Sequence, residues 1–115
     1  MIFVGADVHV RNSYFHATDG NGERLVHGRV ANTSLDLRTF CERVLKRAGG
    51  ELQPIRFALE STTNSRAVQK LLCDAAAQSG FDDVNADVLD ARKLRIIAES
   101  AVSYTHLTLP TTPYV

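Results

Sequence analysis

The sequence lacks a long apolar run, an excess of charge and a cysteine pattern. No stretch approaches the roughly 18 apolar residues that a membrane span needs, and no signal peptide opens the chain, so we expect a cytoplasmic protein without a membrane partner. Lys and Arg total 13 and balance 13 Asp and Glu, which leaves no global basic footprint for nucleic acid. Cys41 and Cys73 show no metal-ligand spacing, which predicts small buried thiols in a reducing compartment.

What remains is the composition of an ordinary globular domain. The chain has 115 residues, of which 44% are hydrophobic and 23% are charged. This length corresponds to one domain or to a piece of one. A function must therefore be sought in local patterns.

The hydrophobic pattern predicts three strands in succession and then helices alternating with strands. Gly20-Asn21-Gly22 marks a turn, Thr33 and Asp36 have capping-box spacing, and Gly49-Gly50 and Gly80 end helices. We predict strands over 2–10, 13–19, 23–30, 55–60 and 84–89, and helices after Thr33, after 61–64 and over 91–101. The order β-β-β-α-β-α-β-α favours an α/β fold with an RNase H-like (RuvC-like) mixed sheet, incomplete at the C-terminus, over a doubly wound sheet.

The last segment is foreign to this pattern. Residues 102–115, which begin Val-Ser-Tyr-Thr-His-Leu-Thr-Leu-Pro, have no helical period and resemble the translation of a transposon-end sequencing adapter. We therefore divide the chain into a partial domain over 1–101 and a non-native tail over 102–115, with a natural disordered C-terminus as the alternative.

Two carboxylates end two predicted strands. Asp7 follows the apolar opening run, which we interpret as a buried strand, and Glu60 follows Phe57-Ala58-Leu59. A buried carboxylate is costly unless donors or a cation meet it, so Asp7 is either held structurally or placed to bind a metal. If the two strands are neighbours, the pair forms a site for Mg²⁺ or Mn²⁺, which prefer oxygen ligands.

Three segments, in order, resemble the N-terminal domain of IS110-family transposases. They are Val4-Gly5-Ala6-Asp7-Val8-His9, Phe57-Ala58-Leu59-Glu60-Ser61-Thr62 and the run from Asp90 to Ser100 that ends Ala-Glu-Ser. The resemblance covers residues 1 to about 101. It implies a RuvC-like catalytic domain with a DEDD carboxylate set, a divalent metal, action on DNA directed by an element-encoded guide RNA, and a homo-oligomer when intact. Asp7 then matches the first Asp and Glu60 the Glu.

The last two Asp of that set do not carry over. In the family they lie in Lys-Thr-Asp-x-x-Asp-Ala after the Ala-Glu-Ser stretch, where this chain has its foreign tail. Asp87 and Asp90 have the same Asp-x-x-Asp-Ala shape but lie upstream, so we interpret Asp90 as the N-cap of the third helix. The family's C-terminal domain with its serine nucleophile is also missing, which predicts that this chain alone is inactive on DNA.

Other side chains have weaker signals. Arg92, Lys93 and Arg95 form a basic cluster that either contacts phosphate or is a solvated helix face. His9 lies two residues after Asp7, on the same face of the strand, where it assists the site or is simply a polar strand end.

Two further function classes stay open. An actin-like or sugar-kinase-like nucleotide-binding domain also has a first strand ending near Gly-x-Asp, but it needs a glycine-rich phosphate hairpin that residues 8–12 do not supply. A non-catalytic interaction fragment is the other alternative.

Overall fold

The computed structural model describes residues 1–90. The predicted order of elements is confirmed over this range. The elements are β1 (Ile2–Val8), β2 (Asn12–Thr18), β3 (Arg24–Ala31), α1 (Ser34–Arg47), β4 (Ile55–Glu60), α2 (Ser65–Gln78) and β5 (Val84–Leu89). The helix predicted over 91–101, its basic cluster Arg92, Lys93 and Arg95, and the tail over 102–115 lie outside the described residues.

All five strands belong to one mixed sheet with the order β3-β2-β1-β4-β5. β1, β2 and β3 pair antiparallel as a meander, and β4 and β5 are added parallel to β1 on its other side. The parallel additions require crossovers, which α1 and α2 supply. This arrangement matches an RNase H-like α/β fold, as the order of elements predicted.

Both helices pack on one face of the sheet and enclose the core. The side chains that β1 sends to this face are Ile2, Val4, Ala6 and Val8, and all four are buried. The ring of Phe15 on β2 stacks on that of Phe40 on α1 with centroids 4.7 Å apart. Sheet and helices therefore form two layers around a single apolar core.

The opposite face of the sheet is open over the described residues, which corrects one interpretation. β1 was expected to be buried throughout, but its burial alternates, and the Phe3 side chain is 48% exposed. Asp7 belongs to this open face, and 54% of its side chain is exposed. Its carboxylate is therefore hydrated, and the burial cost that first drew attention to it does not apply.

The Thr33 cap and the glycine stop of α1 form as predicted. The Thr33 hydroxyl accepts a hydrogen bond from the Asp36 N–H at 3.2 Å and caps α1. The Asp36 carboxylate accepts from the Thr33 hydroxyl at 2.7 Å, whereas the Thr33 N–H donates to the carbonyl of Ala31, so the box is only partly formed. Gly49 and Gly50 end the helix with φ values of 88° and 75°. Within residues 1–90, neither helix is long and apolar enough to cross a membrane.

Candidate active site

The pairing of β1 with β4 brings the two predicted carboxylates to one place. These strands are parallel, and their register runs to Ala6 opposite Leu59. Asp7 and Glu60 are the residues that follow this last pair on the two strands, and the burial alternation assigns both side chains to the open face. Because neighbouring strands lie about 4.8 Å apart, the two carboxylates share one end of the sheet.

The Asp7 carboxylate is positioned by a contact with one side chain, that of His9. The Nε2 atom of His9 lies 3.2 Å from Oδ2 of Asp7. Since a carboxylate only accepts hydrogen bonds, Nε2 is the donor. The side chains are 63% and 54% exposed, so water screens the pair and it contributes little to stability. Among residues 1–90, His9 is the one polar partner of this carboxylate, which leaves Oδ1 available to a cation.

A buried serine fixes the backbone that follows Glu60. The Ser65 hydroxyl donates to the Glu60 carbonyl and accepts from the Thr62 N–H at 2.8 Å. Ser65 is fully buried at the start of α2. The side chain of Asn64, the residue before α2, makes no capping hydrogen bond, and Ser65 ties the turn instead.

A second buried serine fixes the turn that follows Asp7. The Ser13 hydroxyl donates to Oδ1 of Asn32 at 2.7 Å, and Nδ2 of Asn32 donates to the His9 carbonyl at 2.8 Å. The His9 N–H closes the turn by donating to the Asn12 carbonyl at 3.0 Å. Asn32 thus fastens the β1–β2 turn to the junction between β3 and α1. No sequence motif marked Ser13 or Asn32, because their partners are distant along the chain.

The two other aspartates singled out near this edge do not complete a cluster. Asp87 pairs with Ala58, so it lies two residues before the level of Glu60, which pairs with Leu89. Asp90 follows the end of β5. Within residues 1–90, no three His, Cys, Asp or Glu side chains are close enough to hold a metal together.

The open face also carries a polar network across β2 and β3. Nδ1 of His27 lies 3.3 Å from the Tyr14 hydroxyl, and Nε2 of His27 lies 3.3 Å from Nη1 of Arg24. Burial, followed by the charges of Arg24 and His27, lowers the pKa of His16 below its usual 6.5.

The donor set at the strand ends fits a hard divalent cation. Mg²⁺ is commonly held by one or two carboxylates and keeps several waters for the substrate, which is what Asp7 and Glu60 can support. Beside them on the open face lie Gly5 and Ala58, which pair with each other in the register. A Cβ placed on Gly5 would meet no atom within 4 Å, so the surface of β1 next to Asp7 has free space at this position.

Comparison with known proteins gives a limited result. No protein-family model and no curated protein sequence matches this chain. Among solved structures, the chain is similar to RNase H1 from the halophilic archaeon Halobacterium salinarum NRC-1, with 13% sequence identity and a TM-score of 0.44. That similarity covers 80% of this chain and 87% of the other.

Proposed function

We propose that this chain belongs to the catalytic domain of a DNA transposase or recombinase of the IS110 type. The supporting observation is the placement of Asp7 and Glu60 at the same end of two paired parallel strands, on a face that nothing covers within residues 1–90. Two sequence segments that resemble that family carry these same two residues.

In this proposal, Asp7 and Glu60 are the protein ligands of Mg²⁺ or Mn²⁺. A metal bound there would activate a nucleophile and stabilise the leaving oxygen at a phosphodiester. The protein's own part is to hold two carboxylates on a rigid sheet edge and to leave the adjacent face open to a DNA strand. His9 donates to Asp7 and orients its carboxylate.

Organised two-metal chemistry needs more ligands than these two. We propose that further carboxylates complete the site in an intact protein. We also propose that such a protein binds the guide RNA, forms the homo-oligomer and contacts phosphate through Arg92, Lys93 and Arg95. The 115-residue chain by itself is then expected to bind a divalent ion weakly and not to cleave DNA. Robust metal-dependent strand cleavage by the purified chain would contradict this expectation.

Metal binding can be tested on the chain directly with paramagnetic Mn²⁺. In a two-dimensional amide NMR spectrum, Mn²⁺ is expected to broaden the signals of residues near Asp7 and Glu60 first, because the broadening falls steeply with distance. Asp7→Asn and Glu60→Gln each remove a charged ligand, so either substitution should abolish this selective broadening. Mg²⁺ in excess should restore the sharp signals by competition.

The matched control is Asp74→Asn, which removes one exposed carboxylate from α2. This variant should retain the wild-type broadening pattern. If Mn²⁺ broadens signals scattered over all acidic surfaces, or if Asp7→Asn and Glu60→Gln behave like Asp74→Asn, the two residues are not metal ligands. The transposase assignment has a further test in an intact relative, where loss of the residue matching Asp7 should abolish recombination.

A further inference from the structure

We infer that Tyr14, Arg29 and Arg43 form a track that holds a DNA strand by its phosphates and leads it to the carboxylate pair. The inference rests on the proposed function, because it names where the DNA substrate would lie. We call these three residues the track, and Tyr14 belongs to β2. Arg29 belongs to edge strand β3 and Arg43 to α1.

The sheet register places one end of the track level with the carboxylates. Asp7 pairs with Tyr14 on β2, and Tyr14 in turn pairs with Arg29 on β3. Asp7, Tyr14 and Arg29 therefore form one row across three neighbouring strands, and Glu60 follows the last paired residue of β4 on the other side of β1. At about 4.8 Å per strand, the backbone of Arg29 lies about 10 Å from that of Asp7. A DNA strand that places one phosphate at the carboxylates can therefore place another phosphate, a few nucleotides away, at Arg29.

The other end of the track is a groove between β3 and α1. Arg29 and Arg43 both line it, and Thr39 and Asp36 lie on its helix side. The Asp36 carboxylate already accepts a hydrogen bond from the Thr33 hydroxyl. Within the described part of the chain, Asp7, Glu42 and Asp83 form ion pairs with His9, Arg38 and Arg56, so none of these three carboxylates pairs with Arg29 or Arg43. Both guanidinium groups are therefore available to an anion.

Charge and chemistry favour a phosphate backbone as the occupant. Lys46 and Arg47 are one turn beyond Arg43 on α1, and both are exposed. Arginine offers a planar fork of donors that matches phosphate oxygens, and several cations in a line match a repeating anion better than a single small one. The chain is neutral overall, so this local excess of positive charge is offset by acidic residues elsewhere.

Tyr14 adds a contact that suits a single strand. Its side chain is 45% exposed on the open face, between Asp7 and Arg29 in the row. The hydrogen bond between its hydroxyl and His27 holds the ring in place. Unpaired bases stack on such aromatic rings without regard to sequence, whereas duplex DNA keeps its bases stacked inside the helix. The track therefore predicts a preference for single-stranded DNA.

The test measures DNA binding by fluorescence anisotropy with a labelled oligothymidylate, at low salt and with EDTA present so that metal plays no part. Arg29→Gln and Arg43→Gln should each weaken binding by about two- to fivefold, the range for exposed ion pairs. Each should also reduce the slope of log K against log salt by about 0.7, which is the change for one lost phosphate contact on a single strand. Tyr14→Leu should weaken binding by about fivefold or more with an unchanged salt slope.

The matched control is Lys70→Gln, which removes one exposed cation from α2 and should leave affinity and slope unchanged. Circular dichroism spectra of each variant serve as the check that it is folded. Equal losses in Lys70→Gln and the arginine variants would show diffuse electrostatics and overturn the track, as would tighter binding of duplex DNA or of RNA of matched sequence. The outcome is separate from the proposed metal site, because Asp7→Asn should abolish selective Mn²⁺ broadening without weakening DNA binding in EDTA.

Discussion

Single buried hydroxyl groups determine the backbone around both carboxylates. Ser65 ties the turn after Glu60, and Ser13 acts through Asn32 on the turn after Asp7. Both serines are fully buried, so their hydroxyl groups depend on these protein partners for hydrogen bonds. The candidate ligands themselves are exposed or half-buried, and their placement therefore depends on these hidden contacts.

Ser65→Ala should destabilise the protein by about 1–3 kcal/mol, because it leaves the Thr62 N–H without its buried acceptor and the Glu60 carbonyl without its hydroxyl donor. Urea unfolding measures this loss. The substitution should also weaken Mn²⁺ binding, since the turn after Glu60 loosens. Ser61→Ala is the matched control, because Ser61 is exposed in the same turn, and it should change stability by less than about 0.5 kcal/mol. Equal effects of the two substitutions would remove Ser65 from this role.

These residues also mark the limit of prediction from sequence. Asp7, His9 and Glu60 could be proposed from the sequence because each stands near the end of an apolar strand, where a polar side chain is conspicuous. Ser65, Ser13 and Asn32 could not, because serine and asparagine are common in turns and their partners here are set by tertiary contacts. Glu60 and Ser65 are five residues apart, and Ser13 and Asn32 are nineteen apart.

At the level of elements, the order of strands and helices along residues 1–90 and the spans of α1 and α2 followed from sequence, but the order of strands in the sheet and the burial of β1 did not. The apolar run around Asp7 suggested a strand buried on both faces, as in a sheet with helices on each side. The sequence does not show the alternation between buried and exposed positions, because the exposed Phe3 and Gly5 are uncharged, like the buried Ile2 and Val4. Only the pairing with β2, whose Tyr14 and His16 share the open face, reveals which residues of β1 face solvent.

The paired strands β2 and β3 should make stability depend on pH. His16 lies opposite His27, and burial is the main reason that its pKa is below 6.5 in the folded protein. The unfolded chain therefore binds the proton more tightly, and stability that is present above pH 6.5 is lost as the pH falls towards the folded pKa. The midpoint temperature of thermal unfolding should decrease when the pH is lowered from 7.5 to 5.5. This decrease should be smaller in His16→Gln than in the wild type.

His27→Gln is the comparison for that experiment. His27 is only a lesser cause of the shift, after burial and Arg24, so its removal should keep most of the wild-type loss. If His16→Gln and the wild type lose the same stability on acidification, the titration belongs to other groups.

At the scale of the molecule, residues 1–90 form two layers, with helices on one face of the sheet and an open face opposite. The core lies between the sheet and both helices, whereas the candidate carboxylates, the His16–His27 pair and the proposed track lie on the other face or at its edge. Polar groups there can therefore change without disturbing the core. A core residue, by contrast, becomes accessible only when the layers separate.

Cys41 reports on that separation. It is fully buried on α1, and burial together with the Glu42 charge raises the pKa of its thiol to about 12. Thiolate is the reactive form, so in a Cys73→Ser variant Cys41 should react with a thiol reagent at least about a thousandfold more slowly in the native protein than in urea. The half-buried Cys73, studied alone in Cys41→Ser, should react without global unfolding. Equal rates for the two thiols in the native protein would show that the layers separate readily.

The labelling rate of the same thiol can also report metal binding at the candidate site. A ligand that binds only the folded protein lowers the unfolded population by the factor 1 + [L]/Kd. If Asp7 and Glu60 bind Mn²⁺, the ion should slow the labelling of Cys41 by this factor, although the thiol lies on the opposite side of the sheet. In the Asp7→Asn variant the ion should have no effect, because the folded state then gains no binding energy. Slowing that persists in this variant would place the bound ion elsewhere on the protein.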